Sequence, residues 1–426
     1  MRLVTGRRSW LPTVALLGGW VVTRTAMVAI VHWSGYPSPG AVTGDTRLYA
    51  SWATILRSGH FPAADPSWQY PPGAAGVLVV PAMTGAGYHA AFVAMMLIVD
   101  LGVLLGLLYR GRRGGGTAAA WTWLAGIAAV GPVALNRFDL VPTALAVAGV
   151  LAGSPYAAGA LLGLGGLVKL WPAVLIAGVR ERWVPVRTLA TMLAIAVAAV
   201  TALAGVGRLG EALGFAGHTR DRGLQIESVA ATPYLLLHAL FPDAGELRIT
   251  RRFGAYEVVG RFVSVGITLT TVATVVGLAA YTALAIRARR SSGPGDPVGL
   301  AFAAVLVLVV TSKVLSPQYL VWVVGLAAAA MLGPDRRHRP AVALVIISAS
   351  LTQAVFPGTY LSLIHARPAA VLLLAVRNML LLTALLLVLR RLVIGLPPGH
   401  TAGATCPSPT HTLGRGASLE VLKRTT

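Results

Sequence analysis

The segment TGDTRLYASWATILRSGHFPAADPSWQYPP, Thr43 to Pro72, is the first long polar stretch after a hydrophobic N-terminal run. Apolar residues recur at helical spacing behind Asp45, and Gly59 supplies a stop. The pattern predicts an amphipathic helix that begins at Asp45 and lies on a membrane surface. Asp45 is then its N-cap, accepting backbone N–H bonds, or a carboxylate that takes part in chemistry, and the two readings are compatible. Outside this segment, long apolar runs dominate the chain.

The composition indicates a membrane protein. Hydrophobic residues make up 56% of the 426 residues, charged residues 12%, and the mean hydropathy is +0.74. A helix needs about 20 mainly apolar residues to cross a bilayer, and such runs recur from Leu11 to Leu392. Open sheets cannot exist within the bilayer because their backbone groups would be unsatisfied there. We therefore expect an all-α polytopic membrane protein.

The charge distribution predicts the topology. The net charge of +21 comes from arginines in short connections beside apolar runs, which indicates a positive-inside protein in the cell membrane rather than a nucleic-acid-binding one. Arg2, Arg7 and Arg8 place the N-terminus in the cytoplasm, and the run 10–31 is a retained first span rather than a signal peptide. We expect about twelve spans, both termini inside, and the segments 43–72 and 207–256 on the extracytoplasmic side.

Local sequence breaks refine this picture. Between Ala118 and Val179 the apolar runs are short and interrupted, which favours four short helices over two long ones. Further along, a span is expected over Glu257 to Ile286. Residues 1–394 then form one transmembrane domain, and residues 395–426, rich in Pro, Gly, Ser and Thr, form a disordered cytoplasmic tail.

Two lysines are candidates for binding an anion. Lys169, in GLVKLWP, and Lys313, in TSKVLSPQY, stand at membrane-embedded helix ends, where an ionisable residue is a functional hypothesis by default. A lipid phosphate is a natural counter-ion for them. The alternative is that both lysines reach out to lipid headgroups.

Other polar residues are expected on the same side of the membrane. Arg220 and Arg222 of HTRDRGLQIES could clamp an anion, although a solvated loop would look similar, and Gly223 would permit close backbone approach. The turn Asn136–Asp139 is explained equally well by an Arg137–Asp139 pair or by a helix cap. The remaining candidates for substrate binding are Tyr70, Gln225, Glu227, Gln318 and Tyr319.

No metal or cofactor is predicted. The histidines lack HExxH spacing, and the outer side has no DxD pair. Cys406 is the only cysteine, so a disulfide framework is excluded.

Taken in order, four motifs resemble glycosyltransferase family 87 of the GT-C superfamily. They are the Asp45 helix ending in YPP, the Gly-rich helix running into KLWP, RGLQIES, and SKVLSPQYLVW, and the resemblance covers about residues 10 to 392. The family includes actinobacterial polyprenyl-phosphate-mannose-dependent α-mannosyltransferases. The resemblance implies a GT-C fold, a polyprenyl-phosphate sugar donor in the membrane lipid, and Asp45 as catalytic base.

That donor implies an inverting transfer to a glycolipid or glycan, because a phosphate is already a good leaving group and one carboxylate suffices as base. An arabinofuranosyl or other pentosyl donor remains open. Outside this enzyme class, the alternatives are a transporter or flippase, for which inverted repeats with polar residues at the midplane are typical, and a non-catalytic partner subunit.

Overall fold

The computed structural model describes residues 11–114, 116–179, 184–242, 247–290, 295–333 and 337–394. The predicted cytoplasmic N-terminus with its three arginines and the predicted disordered tail 395–426 lie outside the described residues. Helices dominate the rest. They are α1 Leu11–Ile30, α2 Pro39–Arg57, α3 Gly73–Ala82, α4 Tyr88–Arg113, α5 Ala118–Val130, α6 Leu140–Val150, α7 Pro155–Val168, α8 Trp171–Val174, α9 Val184–Gly205, α10 Leu209–Leu213, α11 Phe215–Arg220, α12 Thr232–Leu240, α13 Val263–Arg290, α14 Pro297–Thr311, α15 Tyr319–Ala329, α16 Arg339–Gln353, α17 Tyr360–Ile364 and α18 Pro368–Ile394.

The architecture is that of a polytopic helical membrane protein, as the composition predicts. Within the described ranges, six helices are long and apolar enough to cross a bilayer, and shorter apolar helices of 10–17 residues accompany them. The expected number of about twelve crossings stays a prediction. Between Ala118 and Val179 the chain forms short helices, α5 to α8, as the sequence breaks indicate.

Prolines fix where many of these helices begin. Pro39, Pro155, Pro297 and Pro368 are the first residues of α2, α7, α14 and α18. Proline is favoured there because the first helical N–H has no intrahelical partner and the ring presets φ. At α14 the Asp296 side chain completes the start by accepting a 2.7 Å bond from the Gly299 N–H.

The centre of the bundle is formed by helices that are apolar on every side. Nearly all residues of α14 and α15 are buried, whereas α1, α9 and α13 leave most of their apolar side chains exposed, as lipid-facing helices do. Gly126 of α5 and Gly325 of α15 permit close helix contact, because an added Cβ would overlap Val324 and Thr143 respectively. Small residues at such crossings are typical of membrane helix packing.

One charged pair crosslinks the N-terminal helices. The Arg24 guanidinium of α1 binds the Asp100 carboxylate of α4 through two contacts, Nε–Oδ2 at 2.8 Å and Nη2–Oδ1 at 3.0 Å. The indole N–H groups of Trp20 and Trp123 donate to the same carboxylate. All four donors converge on a fully buried anion, so this pair holds α1 and α5 against α4.

Two local expectations are wrong. Helix α2 begins at Pro39 after Ser38, and Asp45 lies in its second turn, so Asp45 does not cap the helix. The second concerns the span expected over Glu257 to Ile286, because the segment that begins at 207 contains α10, α11 and a small antiparallel sheet that extends beyond Glu257. The strands β1 Leu224–Gln225, β2 Arg248–Arg252 and β3 Ala255–Val259 pair in the order β1-β3-β2. Glu257 therefore belongs to β3, and the following span begins at Val263.

The ends of the long helices differ in charge. Helix α13 follows the sheet, α18 follows α17, and α4 follows α3, and each of the three carries arginines near its end. The positive-inside rule predicts that these arginine-rich ends face the cytoplasm, and this orientation stays a prediction. That rule favours an extracytoplasmic position for α2, the sheet and α17.

Candidate active site

A cavity of about 700 Å³ opens where these surface segments meet. Its walls come from the first half of α2, the turn before α6, the β1 loop, the β2–β3 hairpin, the loop 316–318 and the segment 356–364. The lining includes charged residues, among them Asp45, Arg137 and Glu227, and apolar residues, among them Phe356 and Leu361. The cavity thus combines charged groups with a surface suited to a lipid.

Asp45 lines the cavity, and an ion pair with Arg137 holds its side chain in place. Its Oδ2 is 2.7 Å from Nε of Arg137, and the side chains are 38% and 7% exposed respectively. Arg137 also donates to the Val42 carbonyl at 2.8 Å and to the Asn136 carbonyl at 3.2 Å. On its other face α2 is anchored by buried Tyr49 and Trp52. Asp45 is therefore an accessible carboxylate held by a buried cation.

The turn Asn136–Asp139 does neither of the two things expected of it. Arg137 pairs with Asp45, and Asp139 pairs with Lys169, so the two residues have different partners. The Asp139 side chain makes no capping bond to α6. The turn instead links α2 to the end of α7.

Lys169 is enclosed behind the cavity wall. Its Nζ lies 2.7 Å from Asp139 Oδ1, which also accepts a 2.6 Å bond from the Trp322 indole. Four aromatic rings lie within 4.8–5.7 Å of Nζ, and they belong to Tyr70, Phe138, Tyr319 and Trp322. This environment satisfies the ammonium without a ligand. Tyr70 and Tyr319, both predicted to bind substrate, are part of its aromatic enclosure.

Lys313 joins two of the sequence motifs. Its Nζ donates to the carbonyls of Arg220 and Arg222, at 3.0 and 2.8 Å, and its own carbonyl accepts from the Gln225 N–H at 2.9 Å. Partial burial and the nearby Arg222 guanidinium lower the pKa of Lys313. The RGLQIES and SKVLSPQY motifs thus form one unit, in which Lys313 has a positioning role.

The two arginines of HTRDRGLQIES, Arg220 and Arg222, do not line the cavity. Arg220, at the end of α11, has an exposed side chain, while Arg222 donates to Gln69 at 3.1 Å and lies 3.8 Å from Glu257 Oε1. The close approach predicted at Gly223 is made by Glu257, whose Oε1 accepts the Gly223 N–H at 3.1 Å. Neither arginine is among the described residues that line the cavity.

Three of the predicted substrate-binding residues do line the cavity. Gln225, Glu227 and Gln318 contribute to its wall together with Asp45. The Gln225 Oε1 accepts a 2.7 Å bond from the Leu315 N–H, which fixes the loop 316–318 against β1. A role of Gln225, Glu227 and Gln318 in substrate binding stays a prediction.

Sequence reasoning missed several charged residues of this region. Arg47 and Arg251 line the cavity with exposed side chains, and Arg377 of α18 is fully buried next to Glu227. Arg377 carried a usable signal, since it stands within an apolar run where an ionisable residue is costly. Arg47 and Arg251 carried none, because surface arginines are common in this chain.

A helical bundle of this size, with membrane spans and a charged cavity at one surface, is a multi-pass membrane protein. The family model described as Glycosyltransferase family 87 matches residues 68–317, more than half of the chain. The chain belongs to glycosyltransferase family 87, as its motifs indicate. The matched range includes Lys169, the RGLQIES motif and Lys313, whereas Asp45 precedes it.

Comparison with solved structures gives a distant similarity. The crystal structure of ArnT from Cupriavidus metallidurans bound to undecaprenyl phosphate is similar with a TM-score of 0.45 and 15% sequence identity. The alignment covers 91% of this chain and 78% of the ArnT chain. No curated protein sequence matches the chain.

Proposed function

We propose that this protein transfers a sugar, mannose in the first instance, from a polyprenyl monophosphate to a hydroxyl of an extracytoplasmic glycolipid or glycan. The observation that carries the proposal is the exposed Asp45 carboxylate, paired with buried Arg137, on the wall of a cavity that is lined by both charged and apolar residues. Membership of a glycosyltransferase family favours this reading over a transporter or a non-catalytic subunit. The choice of mannose rests on the motif resemblance, and a pentosyl donor is the second candidate.

The donor has an apolar and a charged part, and the cavity offers lining residues of both kinds. Phe356, Leu361 and Ile364 offer an apolar surface for the first isoprene units. Arg47 and Arg251 are the lining cations without an assigned task, and they would bind the phosphate through charge-assisted hydrogen bonds. We therefore propose Arg47 and Arg251, rather than Lys169 and Lys313, as the phosphate ligands, because both lysines already bind protein groups.

The reaction follows from these positions. Asp45 takes the proton of the acceptor hydroxyl, and the oxygen attacks the anomeric carbon. The bond between that carbon and the phosphate oxygen breaks, its electron pair stays on the phosphate, and cations stabilise the developing charge. The products are the glycosylated acceptor, polyprenyl phosphate and protonated Asp45. A single displacement inverts the anomeric centre, so a β-linked donor gives an α-linked product.

The test uses the full-length protein purified into liposomes, with radiolabelled polyprenyl-phosphate-mannose and a mixed glycolipid extract as acceptor. Transfer by the wild type and a loss of about 10²–10⁴-fold in Asp45→Asn would support the proposal. The matched control is Asp65→Asn, because Asp65 is a nearby carboxylate that accepts from Trp52 but does not line the cavity. Unchanged transfer in Asp45→Asn would reject Asp45 as the base.

If the wild type transfers no mannose, polyprenyl-phosphate-arabinose is tested next under the same conditions. Transfer of arabinose would keep the reaction class and change the donor. Failure with both donors would reject the proposed function.

A further inference from the structure

A second carboxylate lines the same cavity, and it is buried. Glu227 follows β1, its side chain is 1% exposed, and it forms part of the cavity wall. A buried carboxylate is normally paired and fully hydrogen-bonded, because its desolvation is costly. A full set of hydrogen-bond partners is therefore expected around the Glu227 carboxylate.

The partners visible in the structure leave this carboxylate incomplete. Its Oε1 accepts a long bond of 3.4 Å from Gln225 Nε2, and its Oε2 lies 3.8 Å from Nη2 of Arg377, beyond hydrogen-bond distance. Within the part of the chain that is described, Oε2 of Glu227 has no hydrogen-bond partner, and neither do Nε and Nη1 of Arg377. Burial raises the pKa of Glu227 to about 7, although Arg377 opposes the shift.

The backbone around this carboxylate is firmly held. Arg377 Nη2 donates to the Glu227 carbonyl at 3.0 Å, and Asn378 Nδ2 donates to Thr232 Oγ1 at 2.7 Å. Ser228 caps the following turn by accepting from the Ala231 N–H at 3.1 Å. An unsatisfied oxygen in such a fixed setting is suited to a ligand, because it does not have to reorganise when the ligand arrives.

The chemistry of the ligand follows from the charges. A carboxylate oxygen repels a phosphate, and the adjacent Arg377 disfavours a metal ion. A neutral hydroxyl can donate to this carboxylate without charge repulsion, and a sugar ring carries several hydroxyls. The sugar would then lie against Glu227, and the phosphate would bind the lining cations Arg47 and Arg251.

We propose that Glu227, backed by Arg377, is a sugar-binding group of the cavity, with its incompletely hydrogen-bonded carboxylate accepting a hydrogen bond from a sugar hydroxyl. The proposal rests on the proposed function, since it assigns the sugar part of the substrates to a particular side chain. The sugar ring can be that of the donor or that of the acceptor, and the experiment separates the two.

The experiment compares two lipids on the purified full-length protein in nanodiscs. Dissociation constants are measured for polyprenyl phosphate and for polyprenyl-phosphate-mannose, so that their ratio reports the sugar's contribution. The variant is Glu227→Gln, which keeps the shape and removes the charge. The control is Glu257→Gln, because Glu257 is equally buried and accepts the Gly223 N–H but does not line the cavity.

Two results would support the inference. A loss of about tenfold in affinity for the mannosyl lipid, with unchanged affinity for polyprenyl phosphate, would place the donor sugar at Glu227. A rise of about tenfold in the acceptor KM, with both lipid affinities unchanged, would place the acceptor sugar there. In either case Glu257→Gln should keep the wild-type ratio of affinities and the wild-type acceptor KM.

Two other results would overturn it. The first is unchanged lipid binding and unchanged kinetics in Glu227→Gln. The second is a parallel fall in affinity for both lipids, which would indicate that the carboxylate has a purely structural role. If Glu227→Gln fails to fold, Glu227→Asp replaces it, since it keeps the charge, withdraws the oxygen by one methylene and should show the same selective loss. Failure of the wild type to bind either lipid would overturn the proposed function, and this inference with it.

Discussion

Replacing Lys169 by methionine tests whether its ammonium serves the fold or the substrate. The change keeps the length and apolar stem of the side chain and removes the charge. Asp139 then remains buried at 1% exposure with the Trp322 indole as its remaining side-chain donor. Structural reasoning predicts a large loss of stability and, in protein that is still folded, an unchanged affinity for the donor lipid.

The magnitude follows from the contacts. Breaking a buried ion pair by removing one partner costs about 3–5 kcal/mol. The loss of cation–π contact with the surrounding rings adds about 1–2 kcal/mol. Lys169→Met should therefore lower the free energy of unfolding by about 4–7 kcal/mol. The double variant Lys169→Met/Asp139→Asn should recover most of this loss, because the uncompensated charge is gone and Trp322 keeps an acceptor.

The assay is reversible denaturant unfolding in mixed micelles, followed by polyprenyl phosphate binding to the double variant. Two results together would refute this reasoning. The free energy of unfolding of Lys169→Met would fall by less than about 1 kcal/mol, and the double variant would bind polyprenyl phosphate at least tenfold more weakly than the wild type. Lys169 would then be the phosphate ligand that its sequence position suggested, and the ion pair with Asp139 would be incidental.

Three further predictions concern stability, pH and binding. Asp100→Leu should lower the free energy of unfolding by about 3–5 kcal/mol, because it leaves buried Arg24 unpaired, and Arg24→Met/Asp100→Leu should restore most of it in the same unfolding assay. The pKa of Glu227, raised to about 7, means that the folded state holds this proton more tightly than the unfolded chain, whose group titrates near 4.5. Below the lower value both states are protonated. As pH rises from that value through the higher one, the wild type should lose up to about 3 kcal/mol relative to Glu227→Gln, and the difference should level off above it; an equal difference at pH 5 and pH 8 would contradict this. Arg47→Gln and Arg251→Gln should each weaken polyprenyl phosphate binding about tenfold and reduce its salt dependence, whereas Arg252→Gln, exposed on the same hairpin but outside the cavity wall, should leave both unchanged.

Helix positions could be predicted from the sequence because each depends on nearby residues. Apolar runs of sufficient length define the spans, and prolines mark several helix starts. The helix around Asp45 was predicted for the same reason, since its buried residues follow a helical period. Its start was misplaced because Pro39 was outside the periodic run from which the helix was inferred.

The strands of the sheet could not be predicted from the sequence in the same way. Strand β2, RITRR, is rich in arginine, and β3, AYEVV, is mostly apolar but only five residues long, so neither shows the apolar alternation by which strands are recognised. The pairing of β3 with β1 depends on a contact between distant parts of the chain, Gln225 opposite Glu257. Glu257 was assigned to the next span because only local hydropathy was available.

The sequence by itself determined the solvent, the fold class and the family, because hydropathy, charge bias and ordered motifs are properties of the chain alone. It also singled out candidate charged residues, including Asp45, Lys169, Lys313 and Glu227, but not Arg47, Arg251 or Arg377. Tertiary structure alone decided their partners: Asp45 with Arg137, Lys169 with Asp139, Lys313 with two backbone carbonyls, and Glu227 beside Arg377. The physical reason is that electrostatic and hydrogen-bond energies depend on distances between atoms, and packing of helices far apart in the chain sets those distances.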